Sequence, residues 1–176
     1  MPNVTAAEIK AAIRNVPDFP KPGIQFKDIT PVLADARLFA GSIDLLTHDF
    51  APGSVDAVIG IDARGFIFAA AAATKLQAGF VPVRKKGKLP FQTIEQDYAL
   101  EYGAATVAMH VDALKPGARV LLIDDLLATG GTSAAAAALV KKFGAIILEA
   151  AFLIELKFLN GREKLKGWPV RSIIAY

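Results

Sequence analysis

The feature that most constrains the fold of this chain is the stretch from Val120 to Ser133, VLLIDDLLATGGTS. It begins with a short, continuous apolar run, which is typical of a strand covered on both faces in a parallel sheet. Asp124 and Asp125 follow this predicted strand at its carboxyl end, the edge at which open α/β sheets bind their ligands. The stretch therefore predicts an α/β fold with a ligand site.

The residues after the two acids predict that the ligand is an anion. A turn containing Gly130 and Gly131 lets backbone N–H groups approach an anion without obstruction by a Cβ atom. The helix predicted from Ser133 to Phe143 would direct its N-terminal N–H groups and its dipole at the same point. The chain contains neither a G-x-x-x-x-G-K-[ST] motif nor a G-x-G-x-x-G motif after a strand, so the usual triphosphate and dinucleotide sites are not predicted.

Composition narrows the class of protein. With 176 residues, 53% of them hydrophobic, the chain fits one soluble, cytoplasmic domain, and no apolar run is long enough to span a membrane. It has no cysteine and only two histidines, so any metal would need oxygen ligands, and no protein metal site is predicted. A net charge of +3 suits an anionic substrate, but it would equally suit loose binding to nucleic acid.

Hydrophobic periodicity and turn residues place the other elements. A capping box of Thr5 and Glu8 predicts a first helix that ends before Pro17, and Asp35 can cap a helix from Ala36 to about Phe50. The polar segment from Leu89 to Asp97 is predicted to be a mobile lid. The remaining predicted elements are a helix from Phe66, strands over residues 57–61, 80–83, 105–110, 119–123, 146–154 and 170–175, and a turn at residues 115–117.

Four motifs give the chain a family resemblance. The run of apolar residues, two acids and T-G-G-T resembles the phosphoribosyl-pyrophosphate (PRPP) signature of the type I phosphoribosyltransferases. The segments PDFPKPGIQFKDIT, ARGF and RKKGKLP followed by LEYG closely resemble the adenine phosphoribosyltransferases. The resemblance implies a mainly parallel, twisted sheet flanked by helices, in a single domain over residues 1–176. About residues 1–34 would contribute a small hood over the base.

The resemblance also implies roles for individual residues. Asp124 and Asp125 would accept hydrogen bonds from the ribose hydroxyls, and Arg64 would hold the diphosphate as a catalytic residue. Glu101 would be the catalytic base that takes the proton from the purine N7 edge. The other residues implied to bind PRPP or AMP are Ala63, Lys85, Lys88, Tyr102, Ala128, Thr129, Gly130, Gly131 and Thr132.

Adenine would lie between Phe26 and Leu156, with backbone groups around Gln25 and Lys27 reading its amine. Lys27 stands where many relatives have arginine, which would weaken any stacked or bidentate role of that side chain. The implied partners are adenine, PRPP, AMP, pyrophosphate and a second copy of the chain, with Mg²⁺ carried on the diphosphate and no nucleic acid or membrane. Two alternatives stay open: a PRPP-sensing regulator of the same fold that binds nucleic acid, and a transferase for another purine.

Overall fold

The computed structural model describes residues 4–99 and 103–176, and the chain divides into two compact units, Met1–Leu45 and Leu46–Tyr176. The elements that begin in the first unit are helix α1 (Ala6–Ala12), strands β1 (Arg14–Pro17) and β2 (Gln25–Asp28), and helices α2 (Thr30–Ala34) and α3 (Ala36–Leu46).

In the first unit the structure confirms the predicted starts of two helices, and these helices end at Ala12 and Leu46. Thr5 and Glu8 form the predicted capping box, and Asp35 accepts hydrogen bonds from the backbone N–H groups of Arg37 and Leu38. The first helix ends before Pro17, as predicted, but it already ends at Ala12, because the residues from Arg14 to Pro17 form β1 and pair with β2 in an antiparallel hairpin. Helix α3 also ends at Leu46, before the predicted end at Phe50.

The second unit contains a seven-stranded sheet in the order β5-β6-β4-β3-β7-β8-β9. Its strands are β3 (Ala57–Ile61), β4 (Gly79–Lys85), β5 (Thr93–Ala99), β6 (Ala104–His110), β7 (Arg119–Leu127), β8 (Ile146–Glu155) and β9 (Val170–Ala175). Helices α4 (Gly65–Leu76) and α5 (Gly131–Lys142) flank the sheet, and two 3₁₀ helices, Lys157–Leu159 and Gly161–Leu165, connect β8 to β9. The sheet is parallel except where β6 pairs with β4 and β5, which confirms the predicted fold class.

Strands β3 and β7 form the centre of this sheet. Every residue of β3 is buried, as the continuous apolar run predicted. The strands are parallel neighbours, with Gly60 opposite Ile123. From β3 the chain passes through α4 to β4 on one side, and from β7 it passes through α5 to β8 on the other. The carboxyl ends of β3 and β7 therefore flank a topological switch point, where open α/β sheets form a ligand crevice.

Two predictions about strands need correction. Asp124 and Asp125 lie within β7, which continues to Leu127 because its ladder with β8 extends beyond the apolar run. Residues 93–97 of the predicted lid belong to β5, which pairs residue by residue with β6, so this part of the segment is a strand and not a loop. Its closure over a ligand stays a prediction. The pairing of backbone groups, rather than hydrophobicity, makes this polar segment a strand. Among the described residues, no helix is long and apolar enough to cross a membrane.

Candidate active site

A cavity of about 310 Å³ opens at the switch point between β3 and β7. It is lined by the end of β3 and the residues that follow it, by the last part of β7, by the turn after β7 and by the start of α5. These residues are Ile61, Asp62, Ala63, Arg64, Asp124, Asp125, Leu126, Ala128, Thr129, Gly130, Gly131, Thr132 and Ser133. The structure thus brings together two predicted segments that are far apart in the sequence.

Arg64, Asp124 and Asp125 form the charged wall of the cavity. Arg64 Nε lies 2.8 Å from Asp125 Oδ2, and the Asp125 side chain is only 8% exposed. Asp124 Oδ1 accepts a hydrogen bond of 2.9 Å from the backbone N–H of Asp125. A Cβ atom at Gly65 would lie 2.5 Å from Asp124 Oδ1, so glycine is required there for α4 to start this close to β7.

The two carboxyl groups differ in what opposes their ionisation. Burial raises the pKa of Asp124 well above its ordinary value, and the negative charge of Asp125 adds to the rise. Burial also raises the pKa of Asp125, but the neighbouring Arg64 guanidinium opposes that rise. A cationic group or hydrogen-bond donors entering the cavity would therefore favour the ionised form of Asp124.

The first turn of α5 presents backbone N–H groups at the edge of the cavity. Gly130, with φ of +75°, caps the helix without any side-chain hydrogen bond to its N-terminal N–H groups. These donors border the cavity at Gly131, Thr132 and Ser133, where the helix dipole favours negative charge. The Thr132 hydroxyl donates a hydrogen bond of 3.2 Å to the Tyr98 hydroxyl of β5.

Sequence reasoning missed three polar residues at or beside this site. Asp62 lines the cavity, and its Oδ2 accepts a hydrogen bond of 2.9 Å from Arg84 Nε on β4. The Asp62–Ala63 peptide bond is cis. Buried Ser133 also lines the cavity. Asp62 could have been predicted as a site residue, because it directly precedes Ala63 and Arg64 in the sequence. The contact of Arg84 with Asp62 could not, because it depends on the pairing of β3 with β4.

The remaining predicted residues of the second unit either do not line this cavity or lie outside the described part of the chain. Lys85 and Lys88 are exposed near the end of β4 and are not among the described residues that line it. Glu101 and Tyr102 lie outside the described residues. Leu156 is half-buried directly after β8, where its N–H donates to the Leu127 carbonyl.

The three residues predicted to bind adenine from the N-terminal segment belong to the first unit. Half-buried Phe26 makes an edge-to-face contact with Phe19, with ring centroids 5.1 Å apart. Asn15 donates to Gln25 Oε1 at 2.5 Å and accepts from Lys27 Nζ at 3.0 Å. These side chains are thus engaged with one another across the hairpin.

Comparisons with known proteins agree with this geometry. The family model of the phosphoribosyl transferase domain matches residues 25–173. The chain is 55% identical to the adenine phosphoribosyltransferase of Acidothermus cellulolyticus over 175 residues, which cover 99% of each chain.

Solved structures extend the similarity. The adenine phosphoribosyltransferase of Thermoanaerobacter pseudethanolicus matches with a TM-score of 0.93 and 50% identity, covering 98% of this chain and 100% of that one. The enzyme of Saccharomyces cerevisiae, complexed with an imino-altritol bisphosphate and adenine, matches with a TM-score of 0.90 and 40% identity over 96% of this chain and 97% of that one.

Proposed function

Because the chain belongs to the adenine phosphoribosyltransferase family, we propose that the cavity at the switch point is where it transfers the 5-phosphoribosyl group of PRPP to N9 of adenine. The products are AMP and pyrophosphate. The strongest structural support is the meeting of paired carboxylates, an arginine and a helix N-terminus at one edge of the sheet. The full-length relatives carry an enzyme's name, which favours this function over a nucleic-acid-binding regulator.

Residues 128–132, here named the anion-binding turn, bind the 5′-phosphate of PRPP in this proposal. All five of these residues line the cavity, and Gly130 and Gly131 have no Cβ atom that would obstruct a phosphate approaching the backbone. A phosphate group at a helix N-terminus gains both hydrogen bonds and favourable interaction with the helix dipole. This contact anchors one end of the substrate.

Asp124 and Asp125 hold the ribose, and Arg64 faces the diphosphate. Ionised carboxylates accept hydrogen bonds from the 2′- and 3′-hydroxyls, and they also stabilise the positive charge that develops at C1′ as the diphosphate departs. Arg64 is fixed by Asp125 at 2.8 Å, which pre-orients its guanidinium beside the leaving group, with Ala63 in the same loop. Lys85 and Lys88 do not line the cavity, and we assign to them the neutralisation of the diphosphate charge when PRPP is bound.

The cavity wall fits an Mg²⁺ ion that arrives with the diphosphate. Mg²⁺ prefers hard oxygen ligands and keeps several of its waters, and the lining offers carboxylate oxygens but neither histidine nor cysteine. Asp124 and Asp125 are the residues that would hold the hydrated ion. When bound, the ion supplies charge neutralisation for the leaving diphosphate.

Adenine binding and proton transfer are assigned to residues from three segments. Phe26 and Leu156 would stack on the two faces of the base, and backbone groups at Gln25 and Lys27 would read its amine. Glu101 would accept the N7 proton as N9 attacks, and Tyr102 would contact the phosphoribosyl group. No covalent nucleophile is needed, because placement and charge stabilisation lower the barrier to this displacement.

Two further properties belong to the same proposal. We expect the active form to be a homodimer, since Ile67 on α4 and Phe80 on β4 are large apolar side chains that are 40% and 38% exposed.

We expect the reaction to take place in the cytoplasm, because a phosphorylated substrate does not partition into a bilayer.

The decisive experiment measures PRPP-dependent turnover with adenine, hypoxanthine and guanine in parallel. Adenine should be used, and the two 6-oxopurines should be rejected by a factor of about 10³ or more, since groups that accept from the amine would face an unpaired carbonyl oxygen. Equal turnover of hypoxanthine would refute the assignment of the base site. Absence of turnover with all three purines would refute the proposed function.

A further inference from the structure

A hydrogen-bonded ion pair of Glu155 and Arg162 lies next to the anion-binding turn. Glu155 is the last residue of β8 and is 6% exposed, and Arg162 belongs to the second of the two 3₁₀ helices that follow, Gly161–Leu165. Arg162 donates to Glu155 Oε1 at 3.1 Å and Oε2 at 2.6 Å, to the Val170 carbonyl at 2.7 Å and to Ser172 Oγ at 3.2 Å. One guanidinium therefore connects this 3₁₀ helix to the last residue of β8 and to the first half of β9.

This pair stays charged at neutral pH. The hydrogen bonds from Arg162 lower the pKa of the Glu155 carboxyl, and the carboxylate raises the pKa of Arg162 further above its already high value. A planar guanidinium can bind both carboxylate oxygens and two further acceptors in one fixed orientation, which an ammonium group cannot do. The orientation of the 3₁₀ helix thus depends on arginine specifically.

The residue before Arg162 packs directly against the anion-binding turn. A Cβ atom built on Gly161 would lie 2.1 Å from the Ala128 carbonyl oxygen and 2.9 Å from the Gly130 nitrogen. A Cβ on Gly130 would in turn lie 2.2 Å from the Gly161 carbonyl oxygen. The two backbones touch with no side chain between them, so the position of Gly161 limits where the turn can lie.

The sheet brings the ion pair to the start of the same turn. Glu155 is the ladder partner of Leu127 on β7, and Leu127 directly precedes Ala128. Leu165, at the other end of the 3₁₀ helix, is buried among the core residues of the unit. The segment that carries Gly161 is therefore held at both ends.

We propose that Arg162, held by Glu155, is a positioning residue for the transfer reaction: it keeps Gly161 against residues 128–130 and so presets the backbone donors that receive the 5′-phosphate of PRPP. Arg162 touches neither substrate nor reacting atoms in this role. The identity of the anion rests on the proposed function, whereas the contact between Gly161 and the turn does not. A preset turn loses less conformational freedom when the phosphate binds, so its loss weakens PRPP binding more than it slows the chemical step.

Three substitutions test the proposal from different sides. Arg162→Lys keeps the charge but loses the forked geometry, and Glu155→Gln keeps the shape but loses the charge. Gly161→Ala leaves the ion pair intact and adds the atom that would meet Ala128; its backbone angle suits alanine, so only the contact with the turn changes.

Two matched controls separate local effects from general ones. Glu163→Gln removes a carboxylate from the same 3₁₀ helix, where it forms an exposed ion pair with Lys166. Gly79→Ala adds a Cβ that would meet its nearest neighbour, the Asp56 carbonyl, at an ordinary 3.6 Å. Both controls should keep wild-type kinetics.

The measurements are steady-state kinetics in PRPP and adenine, calorimetric titration with ribose 5-phosphate, and thermal unfolding. Each of the three variants should raise the KM for PRPP and weaken ribose 5-phosphate binding by roughly tenfold, with kcat changed by less than about threefold. A purely stabilising pair predicts instead a lower Tm with unchanged KM and unchanged ribose 5-phosphate affinity, and that result would overturn the proposal.

The outcomes remain decisive if some variants do not fold. Should the Arg162 and Glu155 variants be unfolded, Gly161→Ala decides alone: wild-type PRPP KM and ribose 5-phosphate affinity would overturn the proposal, and weakened binding of both would support it. If the wild-type chain binds ribose 5-phosphate but shows no turnover with any purine, the proposed function fails, while the titrations of the variants still test the positioning role.

Discussion

Thr132 and Tyr98 are joined by a hydrogen bond of 3.2 Å between their hydroxyls, although they lie on α5 and β5. The Tyr98 ring also packs against the first turn of α5, since a Cβ on Gly131 would lie 3.1 Å from Tyr98 Cδ2. Strand β5, which begins within the predicted lid and ends beyond it, therefore supports the anion-binding turn through both a hydrogen bond and a packing contact of Tyr98.

Tyr98→Phe should weaken PRPP binding while retaining the fold, because it removes the hydroxyl that orients Thr132 but keeps the ring. A hydrogen bond of this kind contributes about 0.5–1.5 kcal/mol, so the KM for PRPP should rise several-fold. A double-mutant cycle with Thr132→Val isolates the pair. Additive effects of the two substitutions would show that the contact has no role in binding.

Asp124→Asn should stabilise the free protein and impair its use of PRPP. The folded pKa of Asp124 is raised, so ionisation costs stability progressively as pH rises above the ordinary carboxyl range, and the amide removes that cost. Urea unfolding at neutral pH should show a gain of about 0.5–2 kcal/mol, whereas kcat/KM for PRPP should fall by the equivalent of about 1.5–3 kcal/mol. Exposed Asp112→Asn is the control, and equal unfolding free energies for the two variants would contradict the pKa argument.

Glu101→Gln should lower kcat by about 10²–10⁴ with little change in the KM for PRPP, because the amide keeps the shape of the side chain but cannot accept the N7 proton. Single-turnover measurements are needed so that the chemical step, rather than AMP release, is observed. A near-normal chemical rate would remove Glu101 from the role of base.

Asp56→Asn should flatten the acid dependence of stability. Asp56 accepts hydrogen bonds from Arg119 N at 2.7 Å and Nη2 at 2.9 Å, and these contacts lower its pKa from 3.8 to about 2. A depressed pKa contributes stability above the unfolded value that is lost as pH falls through the folded value, here between about pH 4 and pH 2. Urea midpoints measured across this interval should fall less steeply in the variant than in the wild type.

The wild-type chain should scatter light as a dimer at micromolar concentration, and Ile67→Lys should shift it towards the 18.6 kDa monomer. A lysine in a buried apolar interface would carry a charge without a partner, whereas the same change on an exposed surface would have little effect. A wild-type species of only 18.6 kDa would refute the expected homodimer.

By itself, the sequence determined the features that depend on neighbours along the chain. The capping box of Thr5, the apolar runs of β3 and β7, and the two acids followed by a glycine turn and a helix are all local signals. They were sufficient to predict the α/β class and to place Asp124, Asp125 and the turn together at one edge of the sheet, where the structure shows a cavity, because open α/β sheets form their crevices at the carboxyl ends of parallel strands.

Only the tertiary structure decided which distant side chains complete the site. The pairs Asp62 with Arg84, Thr132 with Tyr98, and Gly130 with Gly161 join segments whose proximity follows from strand order and register. Strand β5 shows the same limit, since its polar sequence resembles a loop until β6 supplies the hydrogen-bond partners for its backbone. Backbone pairing between distant segments leaves little trace in local hydrophobicity, and therefore the supports of the anion-binding turn become visible only in the folded chain.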